Sequence, residues 1–451
     1  MQQLLIDNPA TLRRLGEVPD SDSHAIDAAV AAARAALAQW QSLTVPARQQ
    51  ALREVALRIR GDAAGIARLL SQETGKPLCE SQDCLRAVVA LFEAPSPPQP
   101  PEQGAVVAVL LPGNFPLLFL AAASAPALAA GHVVIAKAPT GNPLACLQLA
   151  ALLEELPAGV LTLLTGGAEA GRLLASHPAV DRVDFTGSAA VGRALAAAVP
   201  DKPVQVHAGG VDACIVSADA DLELAIPGIA WARLFNAGQG GTTFRHLYVE
   251  RSIAGEFVER MHQFVGFLDV DDPLQAPTDL GPLISLQAAK CVEDQVGRAL
   301  RDGARLILGG RRFRPSGLPG HFFQPTILTD VPAGSAATRE EIHGPVITVT
   351  PAEDRAAALQ YATRAVPGCA VALYTRDVAA ALRDAQSLAT VHVNDPLLGN
   401  AGPFGGLRHA GLLQSLGGIP LPLPGARSVH VAAALQARPW WFPYRDRSDR
   451  A

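Results

Sequence analysis

The sequence predicts an α/β protein in which two parallel sheets, each covered by helices on both faces, follow one another along the chain. Three observations predict it. From Gly104 onward, short continuous apolar runs (GAVVAVLL, HVVIAK, GVLTLLTG, VDRVDFTG and VQVH) alternate with alanine-rich helical runs such as PLLFLAAASAPALAAG and NPLACLQLAALLEEL. Strands with no polar face that alternate with helices belong to buried parallel sheets. After Gly210 the alternation starts afresh, with ACIVS, a helix over 222–235, RHLYVE and further elements to VHVND at 391–395. Finally, 451 residues are too many for one compact core.

The elements follow in order. Residues 22–43 place Ala, Val and Leu on a helical period behind a Ser or Asp cap. A second helical run covers 47–72, the turn ETGKP occupies 73–77, and another helix runs to about Phe92. The segment APSPPQPPEQG at 94–104 is too rich in proline for a helix or an interior strand and predicts an extended, exposed linker. Residues 1–95 and 104–207 therefore form one domain, expected to bind a ligand beyond the carboxyl ends of its strands. Residues 208–412 form a second, substrate-side domain. The tail holds one strand within GARSVHVAAAL and then the aromatic-basic end ARPWWFPYRDRSDRA. Trp440, Trp441, Phe442 and Tyr444 either cover a partner subunit or cap their own chain, and both readings stay open.

Composition excludes several classes. A net charge of -5 and an isoelectric point near 6.1 leave no electrostatic footprint for nucleic acid or an anionic membrane surface. The apolar stretch 104–138 is broken by Pro112, Gly113, Asn114, Pro116 and Pro126, so it reads as strand, helix and strand rather than a membrane span. No secretory signal opens the chain, and the cytoplasm is the expected location. The six cysteines lack metal-ligand or redox spacing and read mostly as small core residues.

The chemistry-bearing residues cluster at strand ends. Pro112-Gly113-Asn114-Phe115-Pro116 follows the first strand of the first sheet, and Lys137 ends the second, with Thr140 three residues on. Lys137 is one of only four lysines among 37 basic residues, which suits a place where a compact ammonium fits and a guanidinium does not. Phe185-Thr186-Gly187-Ser188 closes a strand and opens a helix, where N–H groups and a hydroxyl suit a pyrophosphate. In the second half stand FNAGQGGTTFR at 235–245 and EEIHGPV, which contains Glu341 and His343.

Taken in order along nearly the whole chain, these motifs closely resemble those of the aldehyde dehydrogenase superfamily. The resemblance implies that superfamily's fold: a Rossmann-type cofactor domain, an α/β catalytic domain and an oligomerisation sheet, here reduced to the linker 96–103 and the segment 426–451. It implies NADP or NAD as cofactor. Lys137 would bond the adenosine ribose, Phe185, Gly187 and Ser188 the pyrophosphate, Val191 would pack on the adenine, and Glu341 would hold the nicotinamide ribose. Thr140 replaces a glutamate of NAD-preferring members and leaves room for a 2′-phosphate. Asn114 corresponds to the oxyanion donor, and Gly113 replaces a tryptophan, opening space beside the site. The family's nucleophilic cysteine is Gly241 in this chain, and its general-base glutamate is His207.

Three functional expectations follow. The first is a cofactor-binding protein without thiolate chemistry that takes a small aldehyde or related ligand, or serves as a subunit of a homo- or hetero-oligomer with a weakened interface. The second is an oxidoreductase working by another route, with His207 as base, or a slow esterase using Thr242 or Thr243. The third is a purely structural subunit whose cofactor motifs are relics.

Overall fold

A computed structural model describes residues 2–95, 104–208, 212–240, 244–332, 335–365, 370–386, 388, 390–395, 428–431, 438 and 440–444. The chain opens with an antiparallel hairpin of β1 (Gln3–Asp7) and β2 (Arg14–Pro19) that the apolar pattern did not announce. Four helices follow: α1 (Ser23–Ser42), α2 (Val45–Gly61), α3 (Ala63–Thr74) and α4 (Leu78–Glu93). Asp22 and Thr44 cap the first two by accepting from the N–H groups of Ala25 and Ala47. The single run expected over 47–72 is in fact two helices. At Asp62 the backbone leaves helical geometry, and the carboxylate accepts from Gln148 Nε2 at 2.7 Å, tying the break to the body of the domain.

The first sheet contains β3 (Val106–Leu110), β4 (Val133–Lys137), β5 (Leu161–Leu164), β6 (Arg182–Gly187) and β7 (Val204–Ala208), in the spatial order β5-β4-β3-β6-β7 and parallel throughout. The connecting helices are α5 (Pro116–Ala130), α6 (Leu144–Ala151), α7 (Ala168–Ser176) and α8 (Ala189–Ala198). The chain runs outward from β3 to β5 and then jumps back to β6 beside β3, which puts the topological switch, and the crevice that accompanies it, at the ends of β3 and β6. Every residue of β3 and β4 is buried, and α5 is apolar all round because sheet and helices enclose it. Among the described residues no helix is long and apolar enough to cross a membrane.

The second sheet contains β8 (Asp212–Val216), β9 (Phe244–Glu250), β10 (Arg305–Leu308), β11 (Thr326–Thr329), β12 (Val346–Ala352), β13 (Ala370–Tyr374), β14 (Thr390–Val393) and β15 (Ser428–Val431), in the order β10-β11-β12-β9-β8-β13-β14-β15. Only β10 runs antiparallel to its neighbour. Helices α9 (Leu222–Leu234), α10 (Arg251–Gly266) and α11 (Leu286–Arg301) pack on this sheet. The late strand is β15, hydrogen-bonded in parallel along its own chain's β14 with Ser428 opposite Thr390.

The aromatic tail caps its own chain. Trp441, Phe442 and Tyr444 are buried in the main core, and Trp440 packs at its margin. Trp441 reaches α9 at Gly228, where an added Cβ would lie 2.9 Å from its ring and 2.7 Å from the hydroxyl of Tyr374. Of the five cysteines within the described residues, Cys84, Cys146 and Cys214 are buried, while Cys291 is exposed.

Candidate dinucleotide and active site

The turn after β3 and the loop after α9 meet across the two halves of the chain. Asn114 donates from Nδ2 to the carbonyl of Gln239 at 3.0 Å, and its own carbonyl accepts from Lys76 Nζ at 3.0 Å and from Asn236 Nδ2 at 3.1 Å. Lys76 also sits 4.2 Å over the Phe115 ring, and Phe115 stacks on Phe235 with centroids 5.7 Å apart. The space expected beside Gly113 is closed. Asn142 donates to the Gly113 carbonyl at 2.7 Å, and a Cβ at Gly113 would lie 3.1 Å from Asn142 Oδ1 and 3.4 Å from Ile284.

The loop itself is bent by three successive residues at positive φ: Asn236 at 52°, Ala237 at 52° and Gly238 at 71°. Two of them carry a Cβ and are disfavoured in that region. Local bonds hold the bend: Gln239 donates from Nε2 to the Asn236 carbonyl and accepts from Ile284 N–H. The Asn236 N–H donates to Glu80 of α4, which also accepts from the Tyr444 hydroxyl at 2.7 Å. Glu80 is thus a buried clamp between helix, loop and tail. Burial pushes Glu80, and Glu73 on α3, up to about 8, and pulls Lys76 down. Gly241, Thr242 and Thr243 lie outside the described residues, as does PFGG at 403–406, and with them lies the expected reach of either threonine to His207.

His207 lies on β7 opposite Thr186 of β6, and its side chain is almost wholly buried. Its Nε2 is 3.2 Å from Asp184 Oδ1, two residues back on β6 and on the same sheet face. Asp184 was missed from sequence. The signal was Asp184 between Val183 and Phe185 in VDRVDFTG, although Asp181 and Arg182 nearby dilute it. The two atoms are at ion-pair distance without hydrogen-bond geometry, so the carboxylate can balance charge on the ring but does not fix its orientation.

The remaining candidates line the carboxyl edge of the first sheet. Lys137 is buried, and its Nζ donates to the carbonyls of Ala138 and Gly166, both at 3.0 Å. Burial pulls its pKa down, against the pull of Asp20. Exposed Thr140 donates to the same Gly166 carbonyl at 3.1 Å. Ser188 caps α8 by accepting from Val191 N–H, and a Cβ at Gly187 would press on the Phe185 ring at 2.5 Å. Val191 is 55% exposed and Val206 37%, and glycine at 192 lets α8 lie close against Val206, since a Cβ there would meet it at 2.3 Å. An exposed apolar pair beside a capped helix N-terminus fits an adenine ring and its diphosphate. The adenosine end of a dinucleotide therefore fits the residues present.

Glu341 is engaged differently. Its carboxylate is ion-paired with Arg245 Nη2, and His343 Nε2 lies 3.4 Å away. Its backbone is fixed too: Gln295 donates to the Glu341 carbonyl at 2.9 Å and Arg233 to the Ile342 carbonyl at 2.7 Å. Burial brings Arg233 down to about 10, and burial reinforced by the Arg245 charge holds His246 down to about 4. The His246 shift has a measurable consequence. As pH falls through about 6.5 the unfolded chain takes up a proton that folded His246 refuses until about 4, so stability drops by about 3 kcal/mol across that window. Urea titrations from pH 7 to 4.5 are expected to show this slope in the wild type and to lose that component in His246→Gln.

Fold and site together define a dehydrogenase-type α/β protein, with a parallel dinucleotide-type sheet on one side of the crevice and an amide-lined loop on the other. Residues 2–95 and 102–418 match the aldehyde dehydrogenase family, and the chain belongs to it. It is 33% identical over 434 residues to the NADP-dependent succinate-semialdehyde dehydrogenase of Escherichia coli, covering 90% of this chain and 89% of that one. It is 36% identical over 415 residues to 3,6-anhydro-alpha-L-galactose dehydrogenase of Streptomyces coelicolor, covering 86% and 84%. Among solved structures, the glyceraldehyde-3-phosphate dehydrogenase of Methanocaldococcus jannaschii complexed with NADP superposes with a TM-score of 0.81 at 28% identity, covering 88% of this chain and 91% of that one.

Proposed function

We propose that this member of the family binds NADP or NAD at the carboxyl edge of its first sheet and does not oxidise aldehydes through a thiolate. One observation carries the reading: position 241, in the Phe235–Arg245 run that corresponds to the family's catalytic loop, is glycine, and the buried Cys84, Cys146 and Cys214 lie elsewhere in the core. Glycine offers no group to form a covalent adduct with an aldehyde. The clamps on Asn114, Asn236 and Gln239 support a loop kept in order without its nucleophile. Bound NAD(P) would supply a hydride acceptor, with Lys137, Thr140, Ser188 and Val191 holding its adenosine end. The shortened linker at 96–103 supports a weakened assembly, as a homo-oligomer or beside a partner subunit.

Melting curves with and without saturating NAD and NADP test the binding, since a ligand at ~100 times its dissociation constant adds ~2.7 kcal/mol. A shift with either cofactor, together with no cofactor reduction over a panel of semialdehydes, is the expected result. Robust turnover blocked by thiol alkylation would overturn it.

The Asp184–His207 pair favours one second reading, in which an aldehyde hydrate is held by Asn114 while His207 takes its proton and Asp184 balances the resulting charge. Turnover that survives alkylation and disappears in His207→Ala would select it.

A further inference from the structure

We propose that Tyr444 is a positioning residue for the loop at 236–239: acting through Glu80, its hydroxyl holds the bend that faces Asn114. The inference stands on the geometry of that loop, and from the reading above it takes only that the loop borders the ligand site.

A chain of donors runs from the tail into the loop. Trp231 Nε1 donates to the Tyr444 hydroxyl at 3.3 Å, and the hydroxyl donates to Glu80 Oε1 at 2.7 Å. The Asn236 N–H reaches both oxygens of the same carboxylate, at 3.3 and 3.1 Å. Glu80 is 1% exposed and Tyr444 5%, so water is no ready substitute for either partner. The tail is fixed in its turn where the Tyr444 N–H donates to Asp279 Oδ1. The loop needs such a hold, because Asn236 and Ala237 carry side chains at positive φ, a conformation that persists only where its surroundings impose it. On one side of the bend Asn114 donates to the Gln239 carbonyl. On the other, Gly238 lies against the backbone of Gly344, three residues past Glu341.

The hold depends on charge. Tyr444 and Asn236 both aim a hydrogen at Glu80, and a carboxylate accepts such bonds far better than a neutral acid does. Burial pushes Glu80 up to about 8, against the Tyr444 bond, the Lys76 charge and the Asn236 N–H, while Asp83 on the same helix adds to the rise. Removing the hydroxyl takes away one of the groups that favour the carboxylate, so the loop loses its hold at a higher pH.

Amide hydrogen exchange at Asn236 in the full chain, corrected for its intrinsic pH dependence, reads the hold across roughly pH 6 to 10. In the wild type, protection is expected to fall as pH drops through about 8 and Glu80 takes up its proton. Tyr444→Phe keeps the buried ring and removes one charge-assisted bond. It is expected to lower Asn236 protection about tenfold and to move the fall about one pH unit higher. In Glu80→Gln, which cannot ionise, the fall should be absent. Equal protection in wild type and Tyr444→Phe, or a lower protection whose midpoint stays put, would overturn the proposal, as would a midpoint that persists in Glu80→Gln. Titration with ADP is the control for the first sheet and should be the same in wild type and Tyr444→Phe. ADP binding absent from both would overturn the cofactor reading alone.

Discussion

Replacing Trp441 by alanine is expected to lower the unfolding free energy by about 3–5 kcal/mol, the cost of emptying a buried aromatic site. The ring is 4% exposed and lies against α9 at a position kept open by glycine. Its loss also loosens the segment that carries Tyr444 to Glu80 and its backbone N–H to Asp279 Oδ1 at 2.5 Å. Trp440, only partly buried, is the internal control, and its alanine variant should cost about 1 kcal/mol or less. Urea unfolding of the two variants side by side decides the matter. Equal, small effects would show that the tail merely rests on the surface.

The second large effect is expected from Gly238→Ala. Gly238 has φ of +71°, and a Cβ there would fall 2.0 Å from the Gly344 carbonyl oxygen, a backbone atom that no side-chain rotation can move away. Left-handed strain and overpacking together are expected to cost about 2–4 kcal/mol. The loss should be local, because the loop must lift from the 344–345 backbone to accommodate the methyl group. Hydrogen exchange should then quicken at Asn236 and Gln239 while β3 and β4 stay protected. Uniform loss of protection would mean that the bend is not a separate unit.

The sequence made the first sheet legible because its central strands β3 and β4 are buried on both faces and read as unbroken apolar runs, and the flanking strands follow at regular spacing. Lys137 was legible as the polar end of an apolar run, Asn114 through its turn motif and Ser188 as the opening of a helix, and all three stand at the carboxyl ends of strands of the first sheet. Other features left no local trace. The hairpin β1–β2 is half exposed and built of mixed residues such as Arg14, Gly16 and Glu17, so its alternation is weak. The break at Asp62 lies between two good helical runs and is fixed by a contact with Gln148 that only the fold supplies. Asp184 was hidden as one acid in a strand, and the destination of the tail could not be read, because Tyr444 and Glu80 are 364 residues apart. The space expected from Gly113 was a misreading of volume: removing a side chain on paper takes no account of neighbours such as Asn142 that close in. The partner of Glu341 was missed because Arg245 reads as the end of a motif rather than as a charge aimed at another loop.

The tie between Tyr444 and Glu80 also sets a timetable for the growing polypeptide. At ~5–20 residues per second, the 364 residues between them take roughly 20–70 s to make. For the later part of that interval, once Asn236 has been made, α4 and the Asn236 loop exist without the hydroxyl that completes their clamp, and Gly228 faces an unfilled groove. Emergence of the tail is then the event that finishes the centre of the molecule, and chains stalled or clipped before Trp441 are left with an open seam that chaperones and proteases can read.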